Sequence, residues 1–537
     1  MLYDICMNKY SYYLLMLLVT VIFLVPSLVI TSMTTFTNYI DVIDTTSDVV
    51  ESFYYRNSVY KPLKMEKYNG DEDYINCYAD LYGSTNDGQD YVVMPSDDNG
   101  FSHLLVLPVS FKDSPKDNLS TRRINIHNAF FGERDKTTSY SVSEYYNISS
   151  YGNVKLVGEV APYYECELTS NEVAALSHTK SYISRYIASL ALNNYISNGG
   201  DLSKYDNNND NLLDGIFVIY DFPYSSDNNN LYWAYVDHAP KNMRVYIGNE
   251  TTEVNVNKPY IASYGWASYD FMHKTPYSKV DAHVFTHEVG HLFGLLDYYS
   301  SMAYQPLGYL DMMDFNIGDH NAFSKYLLSW TSPYVIKEAG VIELLPFAES
   351  GNCLIIPSSS YTDNPFGEYL LLEFYSPTGV NTYDQGLMFS YTDNRGVEHE
   401  GQMLTNYGIK LYHVDARIGY FEKKNTNSLI GCVNDPNIDK LLDDARNDRT
   451  ITSWCYRFMN TNENRNTPLI KLIEKGETEY LKSSYPATND SLFKIGDEFK
   501  YTSTFANYKF NSGEAIPFGF IVENITPNSA KIKVIKN

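Results

Sequence analysis

His287 and His291 stand four residues apart with Glu288 beside the first, in the stretch VFTHEVGHLFGLLDYY from Val284 to Tyr299. On a helix that spacing is one turn, so both imidazoles can converge on one divalent ion while the glutamate projects toward a water beside it. A hydrolytic zinc needs a third protein ligand and one open position. Gly294 can take a left-handed conformation, end the helix and return the chain, which brings Asp297 to the metal. The pattern is then HExxHxxGxxD. His320, in GDHNAF, is the alternative third ligand; a glutamate from a following helix is not, because none occurs between Leu292 and Lys337. Glu288 makes the reading catalytic, since a purely structural zinc site gains nothing from a carboxylate at an open corner.

His283 continues the same face one turn earlier. It lies eight residues from His291, roughly 12 Å along the axis at 1.5 Å per residue, so the two cannot share an ion held at about 2 Å. Only the His287/His291 pair has the flanking carboxylate, and His283 is expected to pack or to support the pair from behind. The helix that must carry them is announced by Pro276 and by Ser278 with Asp281, an S-x-x-D capping box. Val284, Phe285, Val289, Leu292 and Phe293 are too apolar for a surface helix, so it should run through a core. Downstream, LDMMDFNIGDHNAFSKYLLSW carries Met312 and Met313, then a helical stripe of Ala322, Phe323, Tyr326, Leu327 and Trp330. Metzincin-type peptidases place a methionine-containing turn beneath their histidines, and Met313 is the expected floor.

The chain around this motif has 537 residues, too many for one core. Four units are read: 1–31 as signal peptide or membrane anchor, 32–100 as linker or pro-segment, 101–332 as catalytic domain, and 333–537 as a β-rich region. HLLVLPVSF and GIFVIYDF in the middle unit read as strands and Asn171 to Ile196 as helical, giving an α+β domain. GVIELLPF, EYLLLEFY, GIKLYHVDARIGYF, FGFIVENIT and AKIKVIKN read as strands of one or two β-sandwich modules.

Hydrophobic residues make up 44% and charged residues 20% of the chain, a globular composition, and a net charge of -24 disfavours nucleic acid as a partner. Fifty-one tyrosines in Asn- and Ser-rich surroundings suit a protein facing water outside a cell. The uncharged run Tyr12 to Ile30 is long enough to span a bilayer, so export is expected, as a secreted protein or one anchored at the outer face of the membrane. The six cysteines contain no C-x-x-C pair, which excludes a cysteine-rich zinc knot; Cys432 and Cys455 could close a modest disulfide loop. Cys77 has no recognisable latch around it, and His413 with Asp415 alternates on a strand as a structural pair without a nucleophile.

Taken together, DAHVFTHEVGHLFGLLDYY, LDMMDFNIGDHNAFSKYLLSW, SVSEYYNISSYGNVKLVGEV and GIKLYHVDA resemble the immune inhibitor A family of secreted bacterial zinc metallopeptidases. The likeness covers roughly residues 100 to 420, with weaker similarity at SLFKIGDEF and KFNSGEAIPFGF. It implies a zinc endopeptidase acting on protein or peptide substrates, with His287, His291 and Asp297 on zinc, Glu288 as base, and β-sandwich domains after the catalytic unit. Leu296 departs from the proline many relatives carry before the third ligand. The family commonly binds calcium, and YDNNNDNLLDG alternates Asp206, Asn208, Asp210 and Asp214 as an EF-hand loop does. Asn211 replaces its glycine and Phe217 its bidentate glutamate, so a calcium site and a metal-free polar turn both remain open. The rival functional reading is a surface adhesin or carbohydrate-binding protein that retains a vestigial peptidase module.

Overall fold

Strands and helices alternate from Phe101 to Tyr220, and the alternation dictates how the first layer closes. The computed structural model describes Met94 and residues 100–537 apart from short internal stretches, together with two upstream strands, Tyr39–Ile43 (β1) and Val50–Tyr54 (β2). The apolar run at Tyr12 to Ile30, Cys6 and Cys77 lie outside the described residues. Among those described, no helix is long and apolar enough to cross a membrane.

Phe101–Ser110 (β3), Lys155–Val160 (β4), Ile216–Tyr220 (β5), Tyr235–His238 (β6) and Ser263–Ser268 (β7) form a sheet in the order β4-β3-β5-β7-β6. The first four run parallel and the edge strand β6 antiparallel. Parallel neighbours need crossovers. Leu119–Phe131 (α1) and Val142–Ser149 (α2) supply one, and Lys180–Ser197 (α3) supplies the next. The expected α+β unit is therefore a mixed α/β layer. β5 is buried along its whole length because both sheet faces are covered. One face packs Leu105, Ile216, Val218 and Trp266 against Ile187 and Leu192 of α3. The other presents Phe217 and Ile219 to α1 and to His283–Leu292 (α4), the helix that carries the histidines. Phe285 anchors α4 there, its ring 5.4 Å from Phe130 and 5.9 Å from Phe217.

Met312–Phe315 (α5) and Ala322–Leu327 (α6) then lead to the β-rich region. Its longer strands include Gly340–Leu344 (β8), Cys353–Pro357 (β9), Glu368–Tyr375 (β10), Gly408–Asp415 (β11), Ile418–Glu422 (β12), Asn425–Cys432 (β13), Trp454–Phe458 (β14), Ile470–Ile473 (β15), Phe518–Ile525 (β16) and Ala530–Lys536 (β17). Tyr334–Val335, β9, β10, β11 and β15 make one sheet; β2, β1, β8, β17, β16 and Glu498–Phe499 make another. Period-two alternation on β10 explains the packing. Leu370, Leu372 and Phe374 point into a core closed by Ile342, Phe520 and Ile532 of the second sheet. Tyr369, Leu371 and Tyr375 point the other way, into the same core as α4. One sheet thus serves two cores and joins the β-rich region to the α/β layer.

Two expectations change. β13 and β14 pair with opposite edges of β12, Cys432 opposite Gly419 and Cys455 opposite Phe421. A whole strand intervenes, so the two backbones are about 10 Å apart, beyond the reach of a disulfide. His413 and Asp415 are not partners of each other. His413 bridges Glu368 and Tyr508, both at 2.9 Å, while Asp415 holds the Arg417 guanidinium at 2.7 and 2.8 Å.

Candidate metal centre

α4 starts at His283, later than the S-x-x-D box predicts. Ser278 lies outside the described residues, and the cap position is Ala282, which offers no side-chain acceptor. Asp281 compensates by accepting the backbone N–H of His283 at 3.0 Å. The helix ends at Leu292, and Gly294 turns the chain with φ 89, a conformation that glycine adopts without steric penalty.

That turn brings Asp297 back over the helix. Its Oδ1 lies 3.1 Å from His287 Nε2 and 3.2 Å from His291 Nε2. The three ligand atoms all fall within 4.8 Å of one another, close enough to hold one metal ion. The opposite ring nitrogens are tied to carbonyls: His287 Nδ1 to Met312 at 2.8 Å and His291 Nδ1 to Leu295 at 2.7 Å. Each Nδ1 donates there, so Nε2 is the nitrogen turned toward the centre and, once free of its proton, the one able to ligate a metal, as in metal-binding histidines. Beside them Glu288 is 5% exposed, and its Oε2 has no hydrogen-bond partner among the described residues. A buried carboxylate oxygen left unmatched next to two imidazoles and a second carboxylate fits a cation or a proton donor at that point.

Electrostatics sharpen this. Burial pushes the Glu288 carboxyl up, against the opposing pull of His287 and His291, toward the range a general base needs. Burial works against ionisation of Asp297 too, yet the adjoining His291 and His287 outweigh it and hold the carboxyl well below its usual range. Burial disfavours charge on His291, but Asp297 overrides it and raises the imidazole to about 9.

Met313 is fully buried beneath α4. A Cβ built on Gly290 would lie 2.5 Å from Met313 Sδ, so glycine between the two histidines is what lets the sulfur approach. His320, the alternative third ligand, is not part of the cluster. It sits in the core among the rings of Tyr145, Tyr146 and Trp330, and burial keeps its imidazole well below the ordinary range and neutral. The Gly294 turn carries Asp297 back to the two histidines, while His320 stays among the core rings. His283 is packed one turn before the pair and does not join it. Its ring is held between Asp281 at 2.6 Å and Asp384 at 3.1 Å, and these carboxylates overcome burial to raise it well above its ordinary range.

Of the calcium candidates, Asn208 and Asp210 lie outside the described residues. Asp206 accepts the Asn211 N–H at 3.2 Å, and Asp214 is fully buried with its N–H on the Tyr205 carbonyl. Five contributors escaped sequence reasoning: Gly290, the Met312 and Leu295 carbonyls, Asp384, and Tyr299. The Tyr299 ring lies nearly parallel to His287, with centroids 6.5 Å apart, and its hydroxyl faces the Asp297 carboxylate. Only its position two residues beyond Asp297 could have flagged it.

No protein-family model matches the chain, and no curated protein is significantly similar to it.

Proposed function

We propose that the chain is a zinc-dependent endopeptidase acting on extracellular proteins, exported and either secreted or held at the outer face of the membrane. The observation that carries this reading is the convergence of His287, His291 and Asp297 beside the unmatched, buried Glu288. His287 Nε2, His291 Nε2 and the Asp297 carboxylate would hold zinc. When bound, zinc supplies Lewis acidity at the scissile carbonyl and makes water easier to deprotonate. Glu288 then takes the proton of the attacking water and delivers it to the leaving amine nitrogen, so no net proton is consumed. Its raised affinity for protons suits both halves of that relay. Tyr299 stays protonated because burial, Asp297 and Glu288 all oppose its ionisation, and its hydroxyl is available to the carbonyl oxygen as negative charge builds there.

The test is casein hydrolysis with and without a chelator, followed by Glu288→Gln. That variant should bind zinc stoichiometrically while kcat falls by about 10²–10⁴. Undiminished proteolysis by Glu288→Gln refutes the proposed role.

A further inference from the structure

Asp297 sits on a loop, and a loop ligand is only as well placed as whatever grips the loop. Within its own unit the segment is held by the Tyr298 N–H on the Met313 carbonyl at 2.9 Å and by the Tyr298 hydroxyl against Ser324 Oγ at 2.8 Å. Further bonds come from far along the chain. Asn462 Nδ2 donates to the Tyr298 carbonyl at 2.8 Å, one residue past the ligand, while its Oδ1 accepts the Ile470 N–H at 3.0 Å. The Tyr304 hydroxyl returns to the Asn462 carbonyl. Further out, Leu472 N–H donates to Pro306 at 2.8 Å and Ala487 N–H to Gly308 at 3.0 Å. Asn462 is 5% exposed, so its amide is committed to these bonds and not shared with water.

We propose that the β-rich region is a working part of the metal centre, with Asn462 as the residue that positions Asp297. The proposal rests on the reading of Asp297 as a zinc ligand. Asn462 is a positioning residue and touches neither substrate nor metal. The amide joins strand β15, which is pinned in a five-stranded sheet, to the backbone beside the ligand. It thereby removes freedom the carboxylate would otherwise lose on binding metal.

Zinc affinity of the full chain, measured by competition with a chromophoric chelator, decides the matter, with the visible spectrum of the cobalt-substituted protein as a second readout. Asn462→Ala should weaken zinc binding about 10–100-fold and alter the cobalt spectrum. Ser359→Ala, which removes a hydroxyl bonded to Glu514 at 2.7 Å elsewhere in the same region, should leave zinc affinity unmoved. Tyr304→Phe deletes only the hydroxyl on the Asn462 carbonyl and should weaken zinc binding about two- to tenfold; it decides the question if Asn462→Ala does not fold. Zinc affinity within twofold of wild type in the folded variants overturns the proposal. Asp297→Ala separates the two claims: if it leaves zinc affinity unchanged, the ligand assignment itself falls. If it weakens binding and the Asn462 and Tyr304 variants do not, only the positioning role falls.

Discussion

Gly290→Ala would place a methyl group between the two histidines, 2.5 Å from Met313 Sδ, 3.1 Å from Met313 Cε and 3.2 Å from the Tyr146 hydroxyl. Ordinary contact is about 3.5–4.0 Å, so the sulfur must retreat by about 1 Å or the helix must lift. Neither is easy. Met313 and Tyr146 are both fully buried, and the Tyr146 hydroxyl is committed to the Thr286 carbonyl at 2.7 Å. Overpacking of this kind costs about 1–3 kcal/mol, while alanine in place of a helical glycine returns about 1 kcal/mol. The net loss should be about 0–2 kcal/mol. Zinc affinity should fall with it, because lifting α4 off α5 stretches the bond that orients His287 on the Met312 carbonyl. Urea denaturation of Gly290→Ala, Met313→Ala and the double variant measures the effect as a cycle. With Met313 truncated, the added methyl has room and should become stabilising by up to about 1 kcal/mol, giving a coupling of about 1–3 kcal/mol. A Gly290→Ala protein more stable than wild type with Met313 still in place, and with unchanged zinc affinity, would refute the argument that glycine is required for close approach.

Three further outcomes are expected. In the metal-free protein His291 keeps its proton to about 9, so zinc must displace it; apparent zinc affinity should rise about tenfold per pH unit up to about pH 9 and then level off, with proton release visible by calorimetry in two buffers. The linkage sign is opposite for the metal-free fold. A folded-state value raised above the ordinary 6.5 contributes fully below that pH and is lost as pH climbs through about 9, so metal-free melts should weaken over that window. Asp384→Ala should destabilise the fold by about 3–5 kcal/mol in urea melts, because it strips one carboxylate from the buried His283 and removes the acceptor of the Gly318 N–H at 2.6 Å. A loss under 1 kcal/mol would mean that Asp281 alone suffices.

The His287/Glu288/His291 arrangement was readable from residue order because helix geometry is local: four residues make a turn whatever surrounds them. The same holds for the Gly294 turn and for the strands of the β-rich region, whose apolar runs and period-two patterns declare themselves within eight residues. The helix start was misread, since Ser278 and Asp281 match a capping box in spacing while Asp281 instead caps the first turn of a helix beginning two residues later. The possible Cys432–Cys455 loop does not form, because closeness in sequence says nothing of a strand threaded between them.

What order alone decided, then, is which side chains can face one point. Which of Asp297 and His320 arrives there, how each imidazole is turned and what holds the ligand loop were decided by tertiary structure. The partners involved are 25 residues away for His287, 101 for His283 and 164 for the Tyr298 carbonyl. Contacts at such separations exist only once the chain has closed its loops and packed both faces of one sheet, and no local pattern encodes them.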